Sequence, residues 1–221
     1  MTPVTLTVDI VSDVVCPWCI IGYKQLQRAF ELLPGVFEPR FRWHPFELNP
    51  DMPPQGQELG EHLRQKYGPS AGGGSGTRER LLELGERLGF HFDYFQGMRM
   101  VNTFRAHQLL HWAGLQGRQT ELKLALFQAF FSERKNVDDP DVLLVAAADA
   151  GLDSAEAAVV LEDGRFAAAV RGEQQYWRER EVYAVPTFFL QDSYPVPGAQ
   201  EAETLVRILR KIQARQAEVK A

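Results

Sequence analysis

Ser12-Asp13-Val14-Val15-Cys16-Pro17-Trp18-Cys19 holds both cysteines of the 221-residue chain, three positions apart. Before it, Val4-Thr5-Leu6-Thr7-Val8-Asp9-Ile10-Val11 reads as a strand. After it, apolar residues recur at Cys19, Tyr23, Leu26, Phe30 and Leu33. Steps of three and four mark one face of an amphipathic helix. The pair therefore stands where a strand hands over to a helix, with Cys16 at the helix start.

That position has chemical consequences. The first helical turn carries unpaired N–H groups and a partial positive charge. A thiolate there is stabilised, so its pKa falls from about 8.5 towards roughly 3.5–7.5. The thiolate is the nucleophile of disulfide exchange. Pro17 suits the first turn, where its missing N–H has no intrahelical partner anyway. Cys19, one turn on, is placed to attack a mixed disulfide at Cys16 and release the partner. Trp18, between two reactive sulfurs, is expected to be exposed and to touch substrate.

Composition narrows the class. The chain is 45% hydrophobic and 24% charged, ordinary for a globular protein with a sizeable core. Its net charge of -5, with the two signs interspersed, gives no sign of nucleic-acid binding. Two cysteines are not a structural disulfide framework. Met1-Thr2-Pro3-Val4-Thr5 lacks the basic and apolar regions of a signal peptide. No run approaches 18 apolar residues, so no membrane span is expected, and the default compartment is the cytoplasm. There a Cys-x-x-Cys pair favours redox or metal chemistry over a staple. Structural zinc needs four ligands, and only scattered histidines could complete a set, so no metal is expected.

The rest of the chain falls into three blocks. Pro34-Gly35 ends the cysteine helix, and Phe37 to Phe46 reads as a second strand. Gln55 to Arg180 then reads as helical throughout, broken at Gly72-Gly73-Gly74-Ser75-Gly76. Within it, Gln119–Phe131 is apolar on most sides, as in a helix buried between neighbours. Asp139-Pro140 and Asp153…Glu156 are helix starts. Thr187–Leu190 and Tyr194–Val196 return to strand, and a last helix carries Leu205, Ile208, Leu209 and Ile212, with a polar tail expected to fray after Ala214. The two ends complete one sheet only if the middle is an insertion. The fold class is therefore α/β, with a helical insertion.

Several stretches resemble one family. They are Ser12–Cys19 with Ile21-Gly22, Phe46-Glu47-Leu48-Asn49-Pro50, Asn102-Thr103-Phe104-Arg105-Ala106-His107, Asp139-Pro140-Asp141-Val142-Leu143, Val185-Pro186-Thr187-Phe188 and Val196-Pro197-Gly198-Ala199-Gln200. Together and in this order they resemble the DsbA superfamily, and within it the FrnE-like oxidoreductases. The resemblance implies a thioredoxin-like fold with an inserted all-helical subdomain. Residues 1–54 and 182–221 would form the thioredoxin-like domain and residues 55–181 the insertion. It also implies that Pro186 is a cis proline beside Cys16, with the Val185 backbone pairing with an extended substrate.

The function so implied is thiol–disulfide exchange, with Cys16 as nucleophile and Cys19 as resolving thiol. Substrates would be protein disulfides, dithiols or small thiols, with no cofactor, though glutathione is a possible redox partner. The chain would be a monomer or homodimer. A second class shares the layout: the glutathione-dependent 2-hydroxychromene-2-carboxylate isomerases and kappa-class transferases. These carry serine where Cys16 stands, so the intact pair argues against them. A third, non-enzymatic reading is a chaperone or polyketide-pathway accessory.

Support residues are less sharply marked. His107 and His111 share a helix face, and His107 is expected either on the helix surface or at a subdomain interface, or else facing the active-site cleft. Asn102 reads as a helix cap, or else as a polar substrate contact. Asp13 either steers a proton or shapes the turn. Phe127, Phe130 and Phe131 read as core.

Overall fold

Alternation in the first strand decides which side of the sheet each residue meets. In the computed structural model, which describes residues 3–68, 75–191 and 194–219, β1 (Val4–Ser12) lies parallel to β2 (Phe37–Pro45). It lies antiparallel to β5 (Thr187–Leu190), and β6 (Tyr194–Pro197) closes that edge. The sheet order is β2-β1-β5-β6. Leu6, Val8 and Ile10 are fully buried on one face. Each such side chain stabilises the fold by roughly 1.5–3 kcal/mol.

That face is covered by the cysteine helix, α1 (Pro17–Glu31), which packs beside the last helix, α9 (Ala202–Val219). Tyr23 of α1 meets Phe41 edge-on at 5.3 Å and Trp43 at 5.1 Å. α9 stays helical to Val219 instead of fraying after Ala214, and Arg215 donates to the Tyr194 hydroxyl at 2.6 Å. Ala, Gln, Arg and Glu in that tail are all good helix formers.

Between β2 and β5 come α2 (Leu59–Tyr67), α3 (Ser75–Arg87), α4 (Phe104–Leu115), α5 (Gln119–Phe131), α6 (Pro140–Asp149), α7 (Ser154–Asp163) and α8 (Ala167–Glu179). Asp139 and Asp153 cap α6 and α7 as their spacing predicts, accepting from Asp141 and Glu156 amides. The block is not helical throughout. β3 (Gln57–Glu58) and β4 (Arg99–Met100) form a two-stranded antiparallel ribbon. Two-residue strands are too short to carry a readable alternation. Of the expected glycine-rich break, Ser75 and Gly76 already belong to α3, and Gly72 to Gly74 lie outside the described residues.

The second face of the sheet receives α8. Trp177 meets Phe189 at 4.9 Å and His44 at 4.7 Å, the rings tilted in both pairs, over buried Val11. A charged knot crosses the same seam. Arg42 donates twice to Asp9, at 2.6 and 2.7 Å. His44 stands between Asp9 (Nε2, 2.6 Å) and Glu173 of α8 (Nδ1, 2.5 Å). Only an imidazolium donates from both nitrogens. Burial opposes that charge, but the two carboxylates outweigh it and hold His44 above its ordinary pKa. Burial likewise opposes the Asp9 charge, yet His44 and Arg42 bring its pKa down to about 2. β2 thus joins sheet and helical block, and the same end, where Pro45 lies opposite Ser12, stands beside the loop that leads to the cysteines.

Candidate active site

Cys16 is the N-cap of α1, with extended backbone and Pro17 at the first helical position. The expected placement of the pair therefore holds. Both cysteines are free thiols, 3.4 Å apart. Both are buried: Cys16 is 3% exposed and Cys19 fully enclosed. Cys16 is thus the outer of the two sulfurs.

Val185 and Pro186 come from the far end of the chain. Their peptide bond is cis. The Cys16 thiol donates to the Val185 carbonyl at 3.7 Å. Pro186 is buried, and its carbonyl accepts from Gly198 at 2.8 Å, which ties this loop to β6. Gly22 of α1 makes the close approach possible: a Cβ there would stand 3.0 Å from Phe188 Cζ and 3.2 Å from Pro186 Cγ. Tyr183 and Ala184, just before, are exposed, and Val185 itself is half-buried.

Beneath the sulfurs lies a buried polar knot. Asp13 accepts from the Leu48 amide at 2.8 Å and faces His107 Nε2 at 3.2 Å. The same nitrogen reaches the Phe46 carbonyl at 3.0 Å, so Nε2 carries the hydrogen. His107 is 2% exposed. Of its expected placements, the structure gives the interface one: it fastens α4 to the loops around the cysteines instead of facing the cleft. Burial works against the Asp13 charge, but the His107 and Leu48 hydrogen bonds keep its pKa below the usual carboxylate value.

The other expected residues lie farther out. Trp18, expected to be exposed, is instead half-buried because its ring packs against the core, with the Arg80 guanidinium 6.0 Å from its ring centre. Asn102 stands one residue before the N-cap Thr103 and accepts from the Phe104 amide at 2.8 Å. It also lines an open pocket of about 430 Å³ with Phe104, Arg105 and Asp138, a lining that includes neither cysteine.

Sequence reasoning missed Lys66 and Lys123. Lys66 donates to the Leu48 carbonyl and to Asn49 Oδ1, both at 2.9 Å, and its charge is felt at Cys16. Lys123 of α5 is 1% exposed and donates to the Ser12 carbonyl at 3.5 Å. Its charge acts on the pair. Burial resists a charge on Cys19, but the hydrogen bond from Cys16 and the Lys123 ammonium lower its pKa. The bond to Cys19, and then burial, raise that of Cys16. The pair is thus set apart, with the Cys19 pKa below its ordinary value and the Cys16 pKa above it, against the direction that the helix start alone implies for Cys16. The Ser12 hydroxyl lies near the Cys19 sulfur without an aligned hydrogen bond to it.

Among the described residues no group of three or more metal-ligating side chains converges, and no helix is long and apolar enough to cross a membrane.

Comparison with known proteins agrees with this geometry. The family described as DSBA-like thioredoxin domain matches residues 7–210. The uncharacterized protein YwbO of Bacillus subtilis is 29% identical over 196 residues, spanning 88% of this chain and 91% of its own. The crystal structure of a probable DsbA oxidoreductase from Streptomyces coelicolor superposes with a TM-score of 0.86 at 30% identity, covering 93% of this chain and 89% of that one. The cytosolic disulfide reductase DsbM of Pseudomonas aeruginosa shares the fold at 18% identity and a TM-score of 0.62, covering 95% and 99% of the two chains.

Proposed function

The chain belongs to the DSBA-like thioredoxin domain family of thiol–disulfide oxidoreductases, and on that footing we propose that it cycles Cys16 and Cys19 between dithiol and disulfide. The carrying observation is the cysteine pair itself: two free sulfurs 3.4 Å apart at a helix start, the outer one against the Val185 carbonyl.

In the reducing direction the pair acts when singly deprotonated, with the remaining proton on Cys19. The Cys16 thiolate attacks one sulfur of a substrate disulfide, and the other substrate sulfur leaves as a thiolate. Cys19 then gives up its proton and attacks Cys16. The bond from Cys16 to substrate breaks, the second substrate thiolate leaves, and the Cys16–Cys19 disulfide has supplied two electrons. Run backwards, the same steps oxidise a dithiol. A measured potential set against the cytosolic glutathione poise of about -220 to -320 mV decides the direction.

Pro17 and Trp18 shape the rim. Val185 offers the backbone against which an extended substrate lies, and Pro186 supports it from below. His107 holds the loops through Asp13, and Asn102 holds the start of α4. The substrate is a protein disulfide or dithiol, or a small thiol; Lys66 and Arg80 near the opening suit the carboxylates of a thiol such as glutathione. The work divides between a thioredoxin-like domain, residues 1–54 and 182–221, and the insertion at 55–181. FrnE-like membership, a cytoplasmic setting and a monomeric or homodimeric state belong to the same proposal. A glutathione-dependent isomerase is disfavoured because it needs no resolving thiol, and here Cys19 is held ready against Cys16.

The test is turnover of a protein disulfide by the Cys16→Ser variant. Loss of activity is expected; full retention contradicts the reading.

A further inference from the structure

Lys123 is a buried cation that the exchange steps above leave unused. Its ammonium group has one hydrogen bond, the 3.5 Å contact with the Ser12 carbonyl, and makes no ion pair within 4 Å among the described residues. The rings of Trp43 and Phe127 flank it, at 5.4 and 5.1 Å. An enclosed charge this poorly compensated is costly, and such groups shed their proton readily. Beside it lies a cavity of about 10 Å³, lined on one part by Lys123, His107, His44, His111, Gln119 and Glu173 and on the rest by apolar groups. That is close to the smallest space that holds one water molecule, and polar partners line part of it. His111 and Glu173 are 29% and 27% exposed, so the far end of this cluster meets solvent.

We propose that Lys123 and this cavity form the route by which the Cys19 proton exchanges with solvent, through the seam between β2 and the inserted helices. The inference rests on the dithiol reading and supplies the step that reading leaves open. An enclosed Cys19 cannot hand its proton to bulk water directly. The resting Lys123 ammonium bonds to the Ser12 carbonyl and not to Cys19; once neutral and turned towards Cys19 it takes the proton, leaving Cys19 as thiolate and Lys123 as ammonium. The thiolate forms the bond to Cys16 and expels the substrate thiolate. The lysine proton passes by way of a water in the cavity to Glu173 or His111, and then to solvent.

Charges around Lys123 suit the exchange. Cys16 and Cys19 face it from α1, Asp13 from the preceding loop, His107 and His111 from α4, His44 from β2 and Glu173 from α8. No carboxylate of α6, packed along the same helix, contributes to its titration. Burial lowers the Lys123 pKa to about 8, while Cys19, Asp13 and Cys16 pull it back up. About a tenth of the lysine is then neutral at pH 7.

The test separates capture from resolution. Reduced protein is mixed with glutathione disulfide, quenched in acid at intervals and weighed, so that mixed disulfide and intramolecular disulfide are counted separately. Lys123→Met removes both charge and proton; Lys123→Arg keeps the charge but cannot release a proton. In both, formation of the mixed disulfide should stay within about threefold of wild type. Its resolution should slow by roughly a hundredfold, in line with loss of a proton-transfer group. The inflection near pH 8 in that step should vanish. Resolution at the wild-type rate and pH profile in either variant overturns the route; in Lys123→Arg it assigns the lysine a role of charge alone. Should both variants fail to fold, the double variant Glu173→Gln with His111→Gln carries the test, since either group can take the proton. Slowed resolution with capture intact supports the route, and unchanged resolution overturns it. Absence of any mixed disulfide in the wild-type protein sinks the dithiol reading itself, a result distinct from failure of the lysine route.

Discussion

The Cys16 thiol donates to the carbonyl of Val185 across 3.7 Å, joining segments 169 residues apart. Everything packed around that contact sets how far the outer sulfur stands from the surface a partner would meet. Helix α1 brings one side, and the loop before β5 brings the other.

Gly22 governs their spacing. A Cβ at this position already presses on Phe188 and Pro186 at 3.0 and 3.2 Å, so a branched side chain must push α1 away from the loop. Gly22→Val is expected to cost about 1–3 kcal/mol by overpacking and to slow disulfide exchange. Urea unfolding and turnover of a protein disulfide, measured on one preparation, check both effects.

His107 should matter to stability without touching substrate. Its Nε2 hydrogen satisfies buried Asp13 and the Phe46 carbonyl. His107→Leu leaves both acceptors short of a donor, a loss of about 1–3 kcal/mol. Unfolding curves of variant and wild type at one pH give the difference.

Two groups at the α8 seam give stability a pH dependence with opposite signs. Asp9 has a folded pKa of about 2, so its contribution is present above its ordinary value of 3.8 and is lost as pH falls towards 2. A shift of that size corresponds to about 2 kcal/mol. His44 has a raised folded pKa, so its contribution is full below about 6.5 and is lost as pH rises through the folded value. His44→Gln should flatten the alkaline arm of a plot of unfolding free energy against pH. It should also weaken the acid arm, because Asp9 loses a partner.

Local patterns in the chain were enough to locate the cysteine pair and most helices. The pair's strand-to-helix placement follows from residues within a few turns of it, and α5 begins and ends where its apolar run does, at Gln119 and Phe131. What escaped depends on contacts between distant residues. Lys123 sits in an apolar helix, and no periodicity tells that its head meets Ser12, 111 residues away. The helix-start argument weighed only the local field at Cys16; the Lys123 charge comes from the insertion and lowers the Cys19 pKa. Arg171 reaches buried Glu47 across 124 residues, equally invisible to spacing rules.

The most direct check on the account is to trap the captured partner. Cys19→Ser and Cys16→Ser proteins are each incubated with glutathione disulfide, and the adducts are weighed and mapped by peptide mass. A glutathione adduct at Cys16 that persists in Cys19→Ser and dissolves in the wild-type protein is the predicted result. Equal labelling of Cys19 in the Cys16→Ser protein, or a Cys16 adduct that the wild type never resolves, would contradict it.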